Sequence, residues 1–387
     1  MKNVRLKKKE ERRILRGHPW VFSNELQGIP AGTMPGEIVD VLDVSGAFIG
    51  RGYINPHSLI AVRLLTRKQE EIDLDFFRRR ITRARSLRTL LGFGDSFRAV
   101  FGEGDGLPGL IVDKYAQTLV VQSTTAGIEA QLDLIVAALI DEYEPEAIVL
   151  RNDTASRELE GLTQETRIVR GAVTGPVTIE ESGIKYTVDV LEGQKTGFFF
   201  DQRENRQALR DIVQGRRTLD CFCYVGAWSL SASRYGASAV IGVDSSQKAV
   251  DMAARNAALN GLSARFVKAD AFEELRRLEK ERERFGCIIL DPPAFVKSRA
   301  KVREALKGYK EINLRAMKLL EPGGVLVTCS CSHHIDEDLF REMLIDAAQS
   351  AGRQARLLEM RSQARDHPIL LAARETQYLK CAVLVVD

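Results

Sequence analysis

No apolar run in the chain approaches the roughly 20 residues that a membrane-spanning helix needs. The opening MKNVRLKKKEERRILRG also lacks the apolar stretch of a secretory leader, so a cytoplasmic location is expected. No internal repeat or low-complexity tract is present, which excludes solenoids and fibres. Cysteine is sparse: Cys221, Cys223, Cys287, Cys329, Cys331 and Cys381 lie mostly in strand-like runs. They lack the paired spacing of a metal cage, so reduced thiols and no metal are expected. The neighbours His333 and His334 have no spaced partner ligands and do not change this. Nor is there a large excess of one charge. A net charge of +3 is too small to argue nucleic-acid binding by itself.

What is present is a globular composition, 44% apolar and 28% charged over 387 residues, enough for two or three packed domains. Placement of charge says more than its sum. Lys2, Arg5, Lys7, Lys8, Lys9, Arg12, Arg13 and Arg16 crowd the N-terminal segment, and Arg78, Arg79, Arg80, Arg83, Arg85 and Arg88 form a second group. These are either a solvated terminus and helix face or a track for phosphates.

Between Gly36 and Thr66, short β-rich runs alternate with turns, predicting a small antiparallel barrel or sandwich. LDFFRRRITRARSLRTLLG then carries apolar residues at helical spacing and stops at Gly92, predicting a linking helix. Strands follow, with a helix near Ile128 to Tyr143 and further strands AIVLR and IKYTVDV, a second α+β module. Beyond Thr196 strand and helix alternate strictly. That rhythm predicts an α/β fold with a mainly parallel, doubly wound, Rossmann-like sheet, closed by a late antiparallel pair at ARLLEM and QYLKCAVLVV.

Ligands of such sheets lie beyond the carboxyl ends of the strands, and here those ends are acidic. LDCFCYVGAWS offers Asp220, a turn with Gly226, and a helix N-terminus; AVIGVD ends in Asp244, suited to ribose hydroxyls; ARFVKAD ends in Asp270, suited to an adenine amino group. Asp244 and Asp270 read equally as helix caps. Taken in order they point to an adenosine-bearing ligand. The first turn lacks the three-glycine fingerprint of a redox dinucleotide, so S-adenosylmethionine fits better. In IILDPPAF two prolines prevent a helix from starting after Asp291, turning its carboxylate toward the pocket, and Phe295 can stack on an extruded base; the alternative is a rigid loop breaker. VLVTCSCSHH puts Cys329 and Cys331 on one strand face if the strand persists that far, as nucleophile or as inert packing.

With these residues in hand, the chain resembles the large-subunit ribosomal RNA 5-methylcytosine methyltransferase I family, class I S-adenosylmethionine-dependent enzymes with an N-terminal PUA domain. The likeness covers nearly the whole chain. It rests on RGHPWVFSNEL at 16–26, GAFIGRGYINPHSLIAVRLLT at 46–66, GQKTGFFFDQRENR at 193–206, LDCFCYVGAWS, LDPPAF and TCSCS. The resemblance implies a PUA-like RNA-binding domain at 1–72, an α+β middle domain with its linking helix at 73–190, and the methyltransferase domain at 191–387. It implies a cofactor-side role for Phe199, Asp201, Gln202 and Arg203, joining Asp220, Tyr224, Gly226, Asp244, Ser245, Asp270 and Asp291. Pro292, Pro293 and Phe295 would line the substrate side. The nucleophile falls on Cys331, with Asp291 as its catalytic partner, while Cys329 stands where the family pattern has an apolar or aromatic residue and remains a rival. The expected partner is RNA, specifically large-subunit ribosomal RNA, and exposed strands in the small modules would support a homodimer. Two other readings stay open: a ribosomal RNA guanine methyltransferase that forms no covalent adduct, and a non-catalytic RNA-binding or ribosome-assembly protein.

Overall fold

A computed structural model describes residues 1–295 and 301–387. They group into two compact units: Met1–Ile179 with Val188–Phe200 and Arg365–Thr376, and Glu180–Thr187 with Asp201–Ala364 and Gln377–Asp387.

The first unit holds two five-stranded sheets. The N-terminal one comprises β1 (Lys2–Arg5), β2 (Trp20–Val21), β3 (Ile38–Leu42), β4 (Phe48–Ile54) and β5 (Val62–Thr66), in the order β1-β3-β4-β5-β2. The β-rich runs of the sequence form β3, β4 and β5, paired antiparallel. The basic leading segment adds β1, which pairs parallel to β3, so the sheet is not wholly antiparallel. Alternate burial along β3 turns Val39 and Val41 inward onto Val4, Leu6 and Ile14, the last carried by α1 (Glu11–Leu15).

The second sheet runs β10-β9-β8-β7-β6, from β6 (Ser96–Phe101), β7 (Leu110–Tyr115), β8 (Thr118–Ser123), β9 (Ala147–Asn152) and β10 (Glu165–Arg170). Its one parallel pair, β8 with β9, needs a crossover, supplied by α3 (Ala126–Ala130) and α4 (Leu132–Tyr143). The linking helix α2 (Leu74–Leu90) starts where the Asp73 side chain accepts from the Phe76 amide, and buries Phe76, Phe77, Ile81 and Ala84. Helix α3 meets β4 at a close approach that only glycine permits: a Cβ on Gly127 would lie 1.8 Å from Cγ of Tyr53. The Tyr53 hydroxyl, thus seated, donates to the Pro108 carbonyl at 2.7 Å.

Much of the second basic group is spent internally. Arg88 is fully buried with a two-pronged ion pair to Asp105, at 2.6 and 2.8 Å. Arg78 pairs with Asp75 and Asp141, Arg79 with Glu70, and Arg85 with Glu142.

A two-stranded ribbon, β11 (Val177–Glu181) and β12 (Ile184–Val188), follows, and its Glu180–Thr187 portion groups with the second unit rather than with the middle sheet. The second unit continues through α5 (Arg203–Gln207), β13 (Arg217–Cys221), α6 (Ala227–Arg234), β14 (Ala239–Asp244), α7 (Gln247–Leu259), β15 (Arg265–Lys268) and α8 (Ala271–Lys280). It closes with β16 (Phe285–Leu290), α9 (Val302–Leu319), β17 (Leu320–Ser330), α10 (Glu337–Ala351), β18 (Ala355–Arg361) and β19 (Lys380–Val386). The sheet order is β15-β14-β13-β16-β17-β19-β18, parallel from β15 to β17 and antiparallel at β19. Strand order reverses between β13 and β16, and the crevice beyond their carboxyl ends is where such a sheet receives a ligand. The β18–β19 connection carries Arg365–Thr376, which belongs to the first unit. There the Asp366 carboxylate accepts from the Arg98 amide and its carbonyl accepts from Arg88.

Candidate active site

Asp220 near the end of β13 and Asp291 just past β16 belong to the two strands that flank the switch point. Asp220 is fully buried on β13; its Oδ2 accepts from Ser229 Oγ at 2.6 Å, while Oδ1 is enclosed with no partner among the described residues. Burial pushes its carboxyl up to about 7; the Ser229 hydrogen bond opposes this and the charge of Asp291 adds to it. Asp291 follows β16. Its Oδ1 accepts from Gln202 Nε2 and its Oδ2 from Trp228 Nε1, both at 2.9 Å. Burial raises this carboxyl to about 6, opposed by the Trp228 hydrogen bond. Two adjoining carboxyls, each reluctant to ionise and one holding an orphaned oxygen, suit a cationic ligand. S-adenosylmethionine, with its sulfonium and ammonium groups, meets that requirement.

The turn from β13 to α6 is strained. Phe222 and Tyr224 have φ of +68° and +47°, and Gly226 caps the helix at +85°. Side chains pay for the left-handed region, roughly 1–3 kcal/mol each, so such a turn persists only when its surroundings fix it. Asp244 supplies part of that constraint, since its Oδ2 accepts from the Tyr224 amide and its Oδ1 from the Ser246 amide, both at 2.9 Å. A Cβ on Gly226 would press to 3.1 Å from Ala253 Cβ and 3.3 Å from Phe266 Cζ. The residues expected at the cofactor thus include one, Asp244, that also builds the loop. Ser245 beside it is exposed. Asp270 is exposed and caps α8, its Oδ1 accepting from the Phe272 and Glu273 amides, which is the capping geometry weighed for it.

Among the FFFDQR residues, Gln202 reaches Asp291. Asp201 Oδ2 accepts from the Tyr378 hydroxyl at 2.6 Å. Arg203 joins Arg206 on the buried carboxylate of Glu181. Phe199 lies in the first unit, its ring centroid 4.6 Å from Lys195 Nζ. On the other side of Asp291, Pro292 is buried, Pro293 exposed, and the Phe295 ring lies 4.6 Å from Tyr309 and 5.9 Å from Phe272 by centroid.

The two cysteines part company because β17 ends at Ser330. Cys329 lies within β17, fully buried opposite Cys381 and with its pKa raised well above normal by that burial. Cys331 stands just past the strand and is partly accessible, whereas the other five cysteines are buried. Beside it, Lys380 Nζ donates to the carbonyls of Ser332 and Tyr378, both at 2.8 Å, and the Tyr309 hydroxyl meets Ser332 Oγ at 3.1 Å. Trp228, Ser229, Tyr309 and Lys380 were not singled out by sequence reasoning. Lys380 alone left a signal, a lone charge inside the apolar run YLKCAVLVV.

Residues 4–67 match the model of a PUA-like domain, and residues 164–367 that of an S-adenosylmethionine-dependent methyltransferase. The ribosomal RNA large subunit methyltransferase I of Aeromonas hydrophila is 43% identical, over 99% of this chain and 98% of its own. That of Erwinia tasmaniensis is 43% identical over 97% of each. The chain belongs to the ribosomal RNA large subunit methyltransferase I family. It has the S-adenosylmethionine-dependent catalytic domain of that family behind a PUA-like domain. A Streptococcus mutans structure assigned as a SAM-dependent methyltransferase shares the whole fold, with a TM-score of 0.85 at 20% identity and full coverage of both chains. The M. jannaschii tRNA m1G37 methyltransferase is similar in fold, with a TM-score of 0.51 at 15% identity over 85% of this chain and 83% of that one. Among the described residues no helix is long and apolar enough to cross a membrane.

Proposed function

We propose that this enzyme forms 5-methylcytosine in 23S ribosomal RNA, in the cytoplasm, through a covalent adduct on Cys331. The observation that carries the reading is the partial accessibility of one thiol, Cys331, just past the carboxyl end of β17, which pairs with the strand β16 that Asp291 follows, while Cys329 is sealed in the sheet. Relatives named for large-subunit ribosomal RNA, at 43% identity, support the substrate class. S-adenosylmethionine, when bound, supplies an electrophilic methyl group. Asp220, the 222–226 turn, Asp244, Ser245 and Asp270 would hold it, with Asp201, Gln202 and Arg203 contributing from the preceding segment.

Carbon 5 of cytosine is a poor nucleophile. Addition of the Cys331 thiolate to carbon 6 makes carbon 5 enamine-like and reactive toward an electrophile. Asp291 would bind the amino-N3 edge of the base, and its carboxyl near 6 can share a proton with N3 as negative charge develops on the ring. Pro292 and Pro293 shape that loop, and Phe295 offers a face for the extruded base. Loss of the carbon 5 proton and elimination of the thiolate restore the cysteine.

RNA docking is assigned to the modules at 1–72 and 73–190, ahead of the catalytic region at 191–387. Lys8, Lys9, Arg12 and Arg16 are exposed on the PUA-like part. Arg67, Lys68 and Arg83 line one cleft between its sheet and α2.

The test is nucleoside mass spectrometry of ribosomal RNA treated with labelled S-adenosylmethionine and the wild type, Cys331→Ser or Cys329→Ser. Labelled 5-methylcytosine lost only in Cys331→Ser is expected, as is a protein–RNA adduct with carbon-5-fluorinated cytosine. Labelled methylguanosine insensitive to both substitutions would overturn the cytosine chemistry.

A further inference from the structure

Lys380 is the one charged residue of β19, whose remaining members are Cys381, Ala382, Val383, Leu384, Val385 and Val386. It is 6% exposed and forms no ion pair among the described residues. Burying an ammonium in an apolar sheet costs several kcal/mol unless something compensates for it. Two carbonyl hydrogen bonds, to Ser332 and Tyr378, account for two of its three N–H groups.

The backbone places what the third can serve. Lys380 is the register partner of Ser330, and its Nζ is held on the carbonyl of Ser332, so the ammonium brackets the residue between them, Cys331. We propose that Lys380 is a positioning residue that keeps Cys331 in its thiolate form, on the reading above that Cys331 is the nucleophile.

Burial pushes the Lys380 amine down to about 8, with Cys331 and Asp336 pulling it back up. An amine so lowered can take the thiol proton itself. The S–H bond breaks, an N–H bond forms, and thiolate and ammonium stand side by side with no change of oxidation state. The other titratable groups near this pair include Tyr309, which bonds Ser332, and His333 and Tyr378, whose rings lie 5.6 Å apart and the second of which supplies a carbonyl to Lys380. Asp336 is the one acid acting on Lys380, and it sits on the exposed cap of α10.

The experiment is the rate of Cys331 alkylation by iodoacetamide as a function of pH, read by peptide mass spectrometry on the full chain. Wild type is compared with Lys380→Met, Lys380→Gln and Lys380→Arg. The wild-type midpoint should lie below the ordinary thiol value of about 8.5, and both uncharged variants should raise it so that the rate at neutral pH falls about tenfold. Lys380→Arg should restore the low midpoint. Lys380→Gln keeps a donor for the carbonyls without the charge, so it separates electrostatics from packing should Lys380→Met unfold. A wild-type midpoint in Lys380→Gln would overturn the inference. Because alkylation requires no RNA, a shifted midpoint together with an absent fluorocytosine adduct would remove the nucleophile reading and leave the lysine–thiol pairing intact.

Discussion

Buried charge is handled in opposite ways in the first unit and at the strand ends of the second. In the first, the buried arginines have acids: Arg88 with Asp105, Arg151 with Asp153, Arg157 with Glu129, Arg63 with Glu160. At the strand ends of the second, Asp220 and Asp291 accept only from neutral donors, Ser229, Gln202 and Trp228, and Lys380 donates to carbonyls. Paired charges are scaffolding, because each partner offsets the other's desolvation. Buried charges held by neutral groups keep their field for something that arrives later, which is why perturbed ionisation gathers where chemistry is done.

The sharpest way to break this distinction is to substitute on each side of it. Cys331→Ser should reduce methyl transfer by several orders of magnitude while changing unfolding free energy by no more than about 0.5 kcal/mol. A large stability loss would mark Cys331 as a packing residue. Arg88→Ala should do the reverse. It strands Asp105 in the interior, a cost of about 3–5 kcal/mol, measurable as a lowered denaturation midpoint. An unchanged midpoint would show that buried ion pairs in the first unit are not scaffolding.

The cofactor pocket permits a finer test through pH. Both carboxyls are raised, to about 7 for Asp220 and about 6 for Asp291, so protons are lost from them as pH rises through that window. A cation favours the ionised forms. S-adenosylmethionine affinity should therefore increase about tenfold from pH 5.5 to 7.5, with proton release on binding near pH 6.5, as calorimetry in two buffers would register. In the apo chain the sign is opposite: a carboxyl raised on folding stabilises the native state less as pH climbs from its unfolded value of about 3.9 toward 7. Asp220→Asn should flatten both slopes, and unaltered slopes in that variant would assign the titration elsewhere.

How much of this could be read beforehand depends on the range of the interaction. The doubly wound sheet was legible because each strand and helix writes its own period, and a parallel sheet leaves few topologies. The acidic strand ends were legible for the same local reason. What escaped came from distant segments: Lys380 reaching Ser332 across 48 positions, Gln202 reaching Asp291 across 89, and Asp366 returning to Arg98 across 268. Period and spacing carry nothing about such pairs. Cys329 and Cys331 were indistinguishable for a different reason, since where β17 stops is set by its pairing with β19, and a one-residue difference decides which thiol is open.

Basic residues on the surface repeat the comparison at its weakest. Arg78 is already matched by Asp75 and Asp141, whereas Lys8 and Lys9 are exposed with no carboxylate partner among the described residues. Only an unmatched cation can displace counterions from RNA without first giving up a partner, so count alone misjudges the binding face. Replacing Lys8 and Lys9 with glutamine should weaken ribosomal RNA binding and lower the slope of log affinity against log salt by about 1.4–1.8, the release from two phosphates. Arg78→Gln should leave that slope within about 0.3 of the wild type, because its charge was neutralised before RNA came near. Equal slope losses in the two variants, measured by filter binding over a salt series, would mean that surface pairing does not sort docking residues from bystanders, and that RNA contact extends along α2.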